Sequence, residues 1–325
     1  IVLMAVYTKL KKEEIEEIIL LYGLKKLQKF SPIEEGIENT NYIIIINNTK
    51  YILTIFEKRV KEQDLPFFCE LILKLNKLGF KCPRPLINLK DSPISNFKNK
   101  KLTILTFIDG KSKNYLDPKD CKLIGIEAAK LHKLTSSFKI KRKNALSVTS
   151  WRKMFKNIKE NCSSIHKDLP KLIESNLTDI EKNWPDNLPQ GIIHADLFSD
   201  NIIFKNNKVN GIIDFTFSCN DFYAFEIAVC FNALCFDGLK NNLSFNVTKA
   251  KNFIAGYNSI RELSNSEKKS IKVLSQGAAL RFLLTRVFDA LNNVEGAMVK
   301  IKDPIEYLKR LEFHKNSKNF EDYFF

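Results

Sequence analysis

The sequence predicts an α+β fold of two lobes, an antiparallel-sheet lobe over residues 1–107 and a mainly helical lobe over residues 108–325. Three observations carry this. Short runs rich in Ile, Leu, Tyr and Thr crowd the first third, helical periodicity governs the remainder, and one small polar hairpin interrupts the helical part near residue 206. Taken in order, residues 10–22 read as a helix, because Ile15, Ile18, Ile19 and Tyr22 share one face and Gly23 supplies a stop. Strands follow at 27–31, 42–46 and 51–56, the last two joined by the polar turn Asn47-Asn48-Thr49. A helix over 66–79 opens on Pro66 and buries Phe68, Leu71, Ile72, Leu75 and Leu78, and strands at 86–89 and 102–108 complete the first lobe. In the second lobe, Asp117 caps a helix with Pro118 at its first position, and further helices span 151–166 and 169–183. Strands 202–204 and 209–213 turn at Asn206 and Asn207, and helices resume at Asp221.

Composition removes several classes. With 325 residues, 44% apolar, 27% charged, 11 Gly and 10 Pro, the chain is neither collagen-like, nor low-complexity, nor disordered. The net charge of +15 comes from 44 Lys and only 8 Arg, with the Lys scattered among Ile and Asn. Specific phosphate readers favour Arg, so a solvated basic surface is expected and a nucleic-acid partner is not. Seven cysteines, odd in number and without a C-x-x-C pair, suggest neither a disulfide framework nor a zinc site and point to a reducing compartment. Residues 1–6 are too short for a signal peptide and lack a basic leader, with Met4 a candidate start. The longest apolar run, 222–236, is broken by Glu226 and Asn232, so a core helix is expected and no membrane partner.

The strongest motif is His194-Ala195-Asp196-Leu197-Phe198-Ser199-Asp200-Asn201, with Asp214 following 13 residues later in Gly-Ile-Ile-Asp-Phe. This is the H-x-D-x-x-x-x-N plus D-F spacing of kinase-type phosphoryl transfer. The chemistry needs a carboxylate near the acceptor hydroxyl, assigned to Asp196, and hard oxygen donors for Mg2+, assigned to Asn201 and Asp214. His194 is read as loop support by hydrogen bonding rather than as a base or metal ligand. His132 is expected to be packed or capping, and His166 and His314 to lie at the surface. Gly110-Lys111-Ser112 resembles the end of a P-loop, but Leu105 stands where its first Gly belongs, so a turn is expected.

For the nucleotide, the loop between the first two strands offers Gly36, Asn39 and Asn41, and the strand linking the lobes offers Thr106, Phe107 and Ile108 to an adenine. Thr54 occupies the usual place of a phosphate-pairing strand Lys, leaving Lys58 or Arg59 for that role and Glu70 as a helix partner. A plain surface charge is the alternative at each. Arg281 and Arg286 sit in a nearly apolar helix, where a guanidinium requires a partner. Either they pair with Asp221, Glu226 or Asp289, or one clamps a substrate carboxylate. Arg281 is the choice for the clamp, because Asp289 stands three positions after Arg286; Asp221 joins the two Arg as a candidate substrate-binding residue.

With these residues in view, the chain resembles the aminoglycoside phosphotransferase and choline kinase superfamily and, within it, the bacterial homoserine kinases. The likeness covers nearly the whole chain. It rests on Ala-Val-Tyr-Thr at 5–8, Glu-Gly-Ile-Glu-Asn-Thr-Asn-Tyr at 35–42, residues 51–60, Asp-Leu-Pro-Phe-Phe at 64–68 and Asn-Ala-Leu-Ser at 144–147. Further blocks are His-Ala-Asp-Leu-Phe at 194–198, Cys-Asn-Asp at 219–221, Ala-Ala-Leu-Arg-Phe-Leu-Leu-Thr-Arg at 278–286 and Lys-Asp-Pro-Ile-Glu-Tyr-Leu at 302–308. The resemblance implies a protein-kinase-like fold and ATP-dependent, Mg2+-dependent phosphorylation of the side-chain hydroxyl of L-homoserine in the cytoplasm, a step toward threonine, with no obligate protein partner. Ser199 and Thr54 depart from the family pattern. An aminoglycoside or choline/ethanolamine kinase is the nearest alternative, and a non-catalytic kinase-like binding protein a more distant one. A protein kinase is disfavoured, since only residues 215–220 separate Asp214 from the next acidic helix start.

Overall fold

The computed structural model describes residues 8–33, 39–57, 61–238, 242–292, 302–318 and 320–323. The chain divides into two compact units: one holds the described residues through Gly110 and takes back Asn210–Thr216, and the other holds Lys111–Val209 and the described residues from Phe217 onward.

In the first unit, helix α1 (Lys12–Leu20) precedes a five-stranded sheet. Its strands are β1 (Leu27–Ile33), β2 (Asn39–Ile46), β3 (Thr49–Phe56), β4 (Ser95–Phe97) and β5 (Lys100–Thr106), ordered β1-β2-β3-β5-β4 with every pairing antiparallel. Asn47 and Asn48 both adopt left-handed backbone, which matches the strand twist of a two-residue hairpin and sets Ile46 opposite Thr49. That register turns Tyr42, Ile44 and Ile46 inward with Leu53, Ile55, Leu102 and Ile104, where they meet Ile15, Ile18 and Ile19 of α1. Each such buried side chain stabilises by about 1.5–3 kcal/mol. Helix α2 (Leu65–Lys77) starts at a proline and buries Phe67, Phe68, Leu71 and Leu75.

The strand expected at 86–89 does not form. Pro85 has no N–H to continue a ladder, so the segment reaches β5 only as a single bridge, through Leu86 N–H to Ile104 and Thr106 N–H to Arg84, and Leu89 turns out to solvent.

The second unit is mainly helical. Helix α3 (Pro118–Thr135) is opened by a capping box between Asp117 and Asp120, followed by α4 (Val148–Ile158) and α5 (Leu169–Asn183). The helix expected over 151–166 ends at Ile158, and a 3-10 turn occupies Cys162–Ser164. Two four-residue strands that the sequence did not announce, β6 (Gln190–Ile193) and β9 (Cys219–Phe222), pair antiparallel with Ile193 opposite Cys219. Between them lies the hairpin of β7 (Ile202–Lys205) and β8 (Lys208–Ile212), turned by left-handed Asn206 and Asn207; within β8 the chain passes back to the first unit.

Helices α6 (Tyr223–Leu234), α7 (Val247–Asn258), α8 (Asn265–Leu291) and α9 (Ile305–Asn316) complete the second unit, with α8 packed on α4, α5, α6 and α9. Helices α3 and α7 approach closely enough that a Cβ on Gly125 would meet the Phe253 carbonyl at 2.1 Å, and one on Gly256 the Lys122 carbonyl at 2.0 Å. His314 on α9, expected at the surface, is buried: its Nδ1 lies 3.0 Å from the Tyr323 hydroxyl and its Nε2 3.2 Å from Asn232 Oδ1, within a cluster containing Phe236, Phe245 and Phe313. Burial pushes its ring pKa down to about 3.

Candidate active site

The His194–Asn201 segment is a loop leaving β6 and closing in a 3-10 turn at Ser199–Asn201. Ala195 takes φ +62°, a left-handed conformation that costs a non-glycine residue about 1–2 kcal/mol and persists only where its surroundings impose it. Two buried charges do so. Glu226, inside α6 and fully buried, accepts the backbone N–H of His194 and that of Ala195, the latter at 3.1 Å. From α8, Arg281 donates through Nη1 to the Ala195 carbonyl at 2.6 Å. Ala195, the residue before Asp196, is thus held by an anion at its N–H and a cation at its carbonyl.

Asp196 is followed by wholly buried Leu197 and by Phe198, whose ring meets Phe282 edge-on at 5.0 Å. Its backbone carbonyl accepts Phe198 N–H at 2.9 Å and Asn201 Nδ2 at 2.8 Å, and the same amide nitrogen lies 3.4 Å from Asp196 Oδ2. With Nδ2 committed, Asn201 has its Oδ1 to offer a cation. These two residues, expected to act together, share one turn. Asp214 lies in the first unit, also in left-handed backbone at φ +59°. Its Oδ1 accepts the Thr216 hydroxyl at 2.5 Å and the Thr216 N–H at 3.3 Å, which fixes the carboxylate and leaves Oδ2 to a ligand.

Behind the loop, His132 is packed as expected: Nδ1 lies 2.7 Å from the Tyr257 hydroxyl, the ring stacks on Tyr223, and Nε2 lies 3.9 Å from Glu226. Burial lowers its pKa, against the opposing pull of Glu226. Burial alone would raise the Glu226 carboxyl, but the His132 and His194 side chains and the Ala195 amide hold it below the usual range. His194 itself is wholly buried and joins this support through its backbone N–H.

Of the nucleotide candidates, Gly36 and Lys58 lie outside the described residues, as does Arg59. Asn39 is buried, with Oδ1 accepting Glu57 N–H at 3.5 Å, and Asn41 Oδ1 accepts the Thr54 hydroxyl at 2.7 Å. Thr106 Oγ1 accepts Arg84 N–H at 2.8 Å, whereas no hydrogen bond among the described residues engages the backbone of Phe107 or Ile108. Glu70 pairs with Lys74 at 2.7 Å, an i,i+4 surface pair. Lys111 bridges Phe204 through both backbone groups, so the P-loop-like segment ends in strand pairing.

The expected partner of Arg286 is corrected. Its Nη1 reaches Glu306 Oε2 and the Asp303 carbonyl, both at 2.9 Å, and the guanidinium lies over Tyr307. Asp289, although three positions on, is not the carboxylate that Arg286 takes. Arg281 takes none of the three carboxylates considered for it; among the described residues it forms no ion pair. Asp221 accepts Asn144 Nδ2 at 2.6 Å and Phe222 N–H at 2.7 Å, and burial raises its carboxyl pKa. Sequence reasoning missed the grip of Glu226 on the loop, although a lone Glu inside an apolar run was its signal, and missed Asn144, which opens the Asn-Ala-Leu-Ser block.

The seven cysteines are all free and buried. Among the described residues no helix is long and apolar enough to cross a membrane, and no group of three or more His, Cys, Asp or Glu side chains could hold a metal.

Residues 29–263 match the phosphotransferase enzyme family. A homoserine kinase of Xanthobacter autotrophicus is 42% identical over 98% of this chain and 99% of its own length, and one of Mesorhizobium japonicum is 39% identical with the same coverages. The fold is that of amicoumacin kinase hAmiN (TM-score 0.70, 11% identity, 96% of this chain and 95% of that one). It is also that of choline kinase from Cryptosporidium parvum (TM-score 0.62, 18% identity, 89% and 88%). On the match over residues 29–263 and the near-full-length identity, the chain belongs to the phosphotransferase enzyme family and, within it, to the homoserine kinases.

Proposed function

We propose that the chain transfers the γ-phosphoryl group of ATP to the side-chain hydroxyl of L-homoserine, giving O-phosphohomoserine and ADP, as a step in threonine biosynthesis in the cytoplasm. The observation that carries this reading is the loop in which Asp196 and Asn201 share one turn while Glu226 and Arg281 hold Ala195 in left-handed backbone. Such rigidity suits a reaction whose loose transition state asks for positioning more than for a strong nucleophile. Asp196 orients the acceptor hydroxyl and takes its proton late, as the new O–P bond forms, because an alcohol is far too weak an acid to ionise first.

The Oδ1 of Asn201 and Oδ2 of Asp214 are hard oxygen donors of the kind Mg2+ takes, and we assign them to that ion, with phosphate oxygens and water as its other ligands. When bound, Mg2+ supplies charge neutralisation at the phosphate oxygens. We assign nucleotide binding to the first unit, with Gly36, Asn39, Asn41 and Lys58 toward the phosphates and the backbone of Thr106, Phe107 and Ile108 toward adenine. The acceptor falls to Asp221 and Arg281 in the second unit. Arg286, held by Glu306, serves the anchoring of α9 instead.

The test is ADP release measured across L-homoserine, L-serine, choline and an aminoglycoside. The reading requires L-homoserine to be preferred by a wide margin; preference for choline or an aminoglycoside overturns it.

A further inference from the structure

Two opposite charges near the Asp196 loop, Arg281 buried and Asp221 half-buried, have no charged partner among the described residues. Arg281 is 3% exposed, yet its one hydrogen bond goes to a neutral carbonyl, its Nε makes none, and no carboxylate among the described residues lies within ion-pair distance. Four of its five N–H donors are therefore uncommitted, and the faces of Phe282 and Phe217 fix the plane of the fork. Asp221 is held by two neutral donors, Asn144 and the Phe222 amide, and no cation among the described residues pairs with it. Nearby Arg142 directs Nη1 to the Ser218 carbonyl instead.

Strand register brings the two into one neighbourhood. Cys219 pairs with Ile193, the residue before His194, and Asp221 follows two residues later on the same face of β9. The Arg281 charge acts on Asp221, and the Asp196 charge acts on Arg281. Burial raises the Asp221 carboxyl and lowers the Arg281 guanidinium, as befits charges awaiting a counter-charge.

We propose that Arg281 and Asp221 form a zwitterion clamp, Arg281 taking the α-carboxylate and Asp221 the α-ammonium of the acceptor, so that the site selects a free α-amino acid carrying a hydroxyl. The proposal rests on the function proposed above and deepens it. An acceptor with one charge leaves the opposite protein charge buried and unpaired, which penalises it more than the loss of a contact alone. Arg281 carries a second duty through its Nη1 contact with Ala195, so a change there also touches the Asp196 loop.

The experiment measures kcat and KM for L-homoserine, for 3-amino-1-propanol, which lacks the carboxylate, and for 4-hydroxybutyrate, which lacks the ammonium. It uses the wild-type protein, Asp221→Asn and Arg281→Lys. Wild-type kcat/KM is expected to fall by about a hundredfold or more for each analogue. Asp221→Asn, which keeps the shape and the contacts to Asn144 and Phe222, should raise KM for L-homoserine and 3-amino-1-propanol while leaving 4-hydroxybutyrate within about threefold. Arg281→Lys should weaken the two carboxylate-bearing acceptors relative to 3-amino-1-propanol, whereas a purely structural Arg281 would lower kcat for all three alike. If the wild type turns over L-homoserine but accepts both analogues equally well, or if Asp221→Asn affects all three equally, the clamp is overturned while the kinase reading stands. If L-homoserine is not phosphorylated at all, both fall. Should Arg281→Lys fail to fold, the wild-type analogue profile and Asp221→Asn still decide.

Discussion

Replacing Glu226 by Gln leaves the shape of α6 intact and changes one oxygen into an amide nitrogen, in a fully buried site where two backbone donors converge. Oε2 accepts both N–H groups, and Oε1 lies 3.2 Å from the Ala195 N–H; an amide with its oxygen in the Oε2 place keeps both acceptances without the charge and turns a donor toward the Ala195 N–H. Both charge-assisted hydrogen bonds, about 1.5–3 kcal/mol each, fall to the neutral value of about 1 kcal/mol. Relief from burying a charge offsets part of this, so a net loss near 2 kcal/mol in unfolding free energy is expected. With that anchor weakened Ala195 is freer to leave its left-handed conformation, and kcat should drop by about tenfold to a hundredfold with little change in the KM for ATP. The pH dependence has a definite sign. The folded Glu226 carboxyl lies below its ordinary value, so its stabilisation is present above about pH 4.3 and is lost as pH falls through the folded value, a loss the Gln variant lacks. Urea unfolding and steady-state kinetics on the same preparations measure both effects. A Glu226→Gln protein matching wild type in unfolding free energy and in kcat would refute the reasoning.

Asp214→Ala should abolish nucleotide-dependent turnover, with no rescue by millimolar Mg2+, while the circular dichroism spectrum stays unchanged; rescue would remove Asp214 from the metal role. Arg286→Met should lower unfolding free energy by about 1–2 kcal/mol through loss of the Glu306 pair and the Asp303 carbonyl contact, yet leave the KM for L-homoserine alone, and a selective rise in that constant would return Arg286 to the substrate. His314 is neutral when folded, with its pKa held near 3, and takes a proton near pH 6.5 when unfolded. Its contribution to stability is therefore complete above pH 6.5 and declines as pH falls toward 3, by several kcal/mol in total. Unfolding free energy measured over that window should slope less steeply in His314→Phe than in wild type.

What could be read from the residues follows from how local each feature is. The Asp196, Asn201 and Asp214 set lies within 19 consecutive positions, and the turns at Asn47-Asn48 and Asn206-Asn207 carry their own left-handed signal, so motif and hairpins were legible. Strands β6 and β9 were not, because each is four residues long and pairs only after the whole Asp196 loop and the hairpin intervene. Arg281 could be recognised as a guanidinium in need of a partner, but its partner is a backbone carbonyl 86 residues away, a contact set by packing of α8. The same limit hid the burial of His314, since its cavity is assembled from Phe236, Phe245, Phe313 and Tyr323 on separate segments. Arg286 shows how tertiary contact overrides sequence proximity: Asp289 is nearer along the chain, but Glu306 and the Asp303 carbonyl meet the guanidinium together.

The most direct test of phosphoryl transfer positioned by Asp196 is phosphorus NMR of the reaction of wild type and Asp196→Asn with ATP, Mg2+ and L-homoserine. Wild type should yield ADP and, in equal amount, a phosphate monoester whose phosphorus couples to the two protons of the adjacent methylene, while Asp196→Asn binds ATP but forms no monoester. ADP appearing without that monoester in wild type, or monoester formed by Asp196→Asn at a near-normal rate, would contradict it.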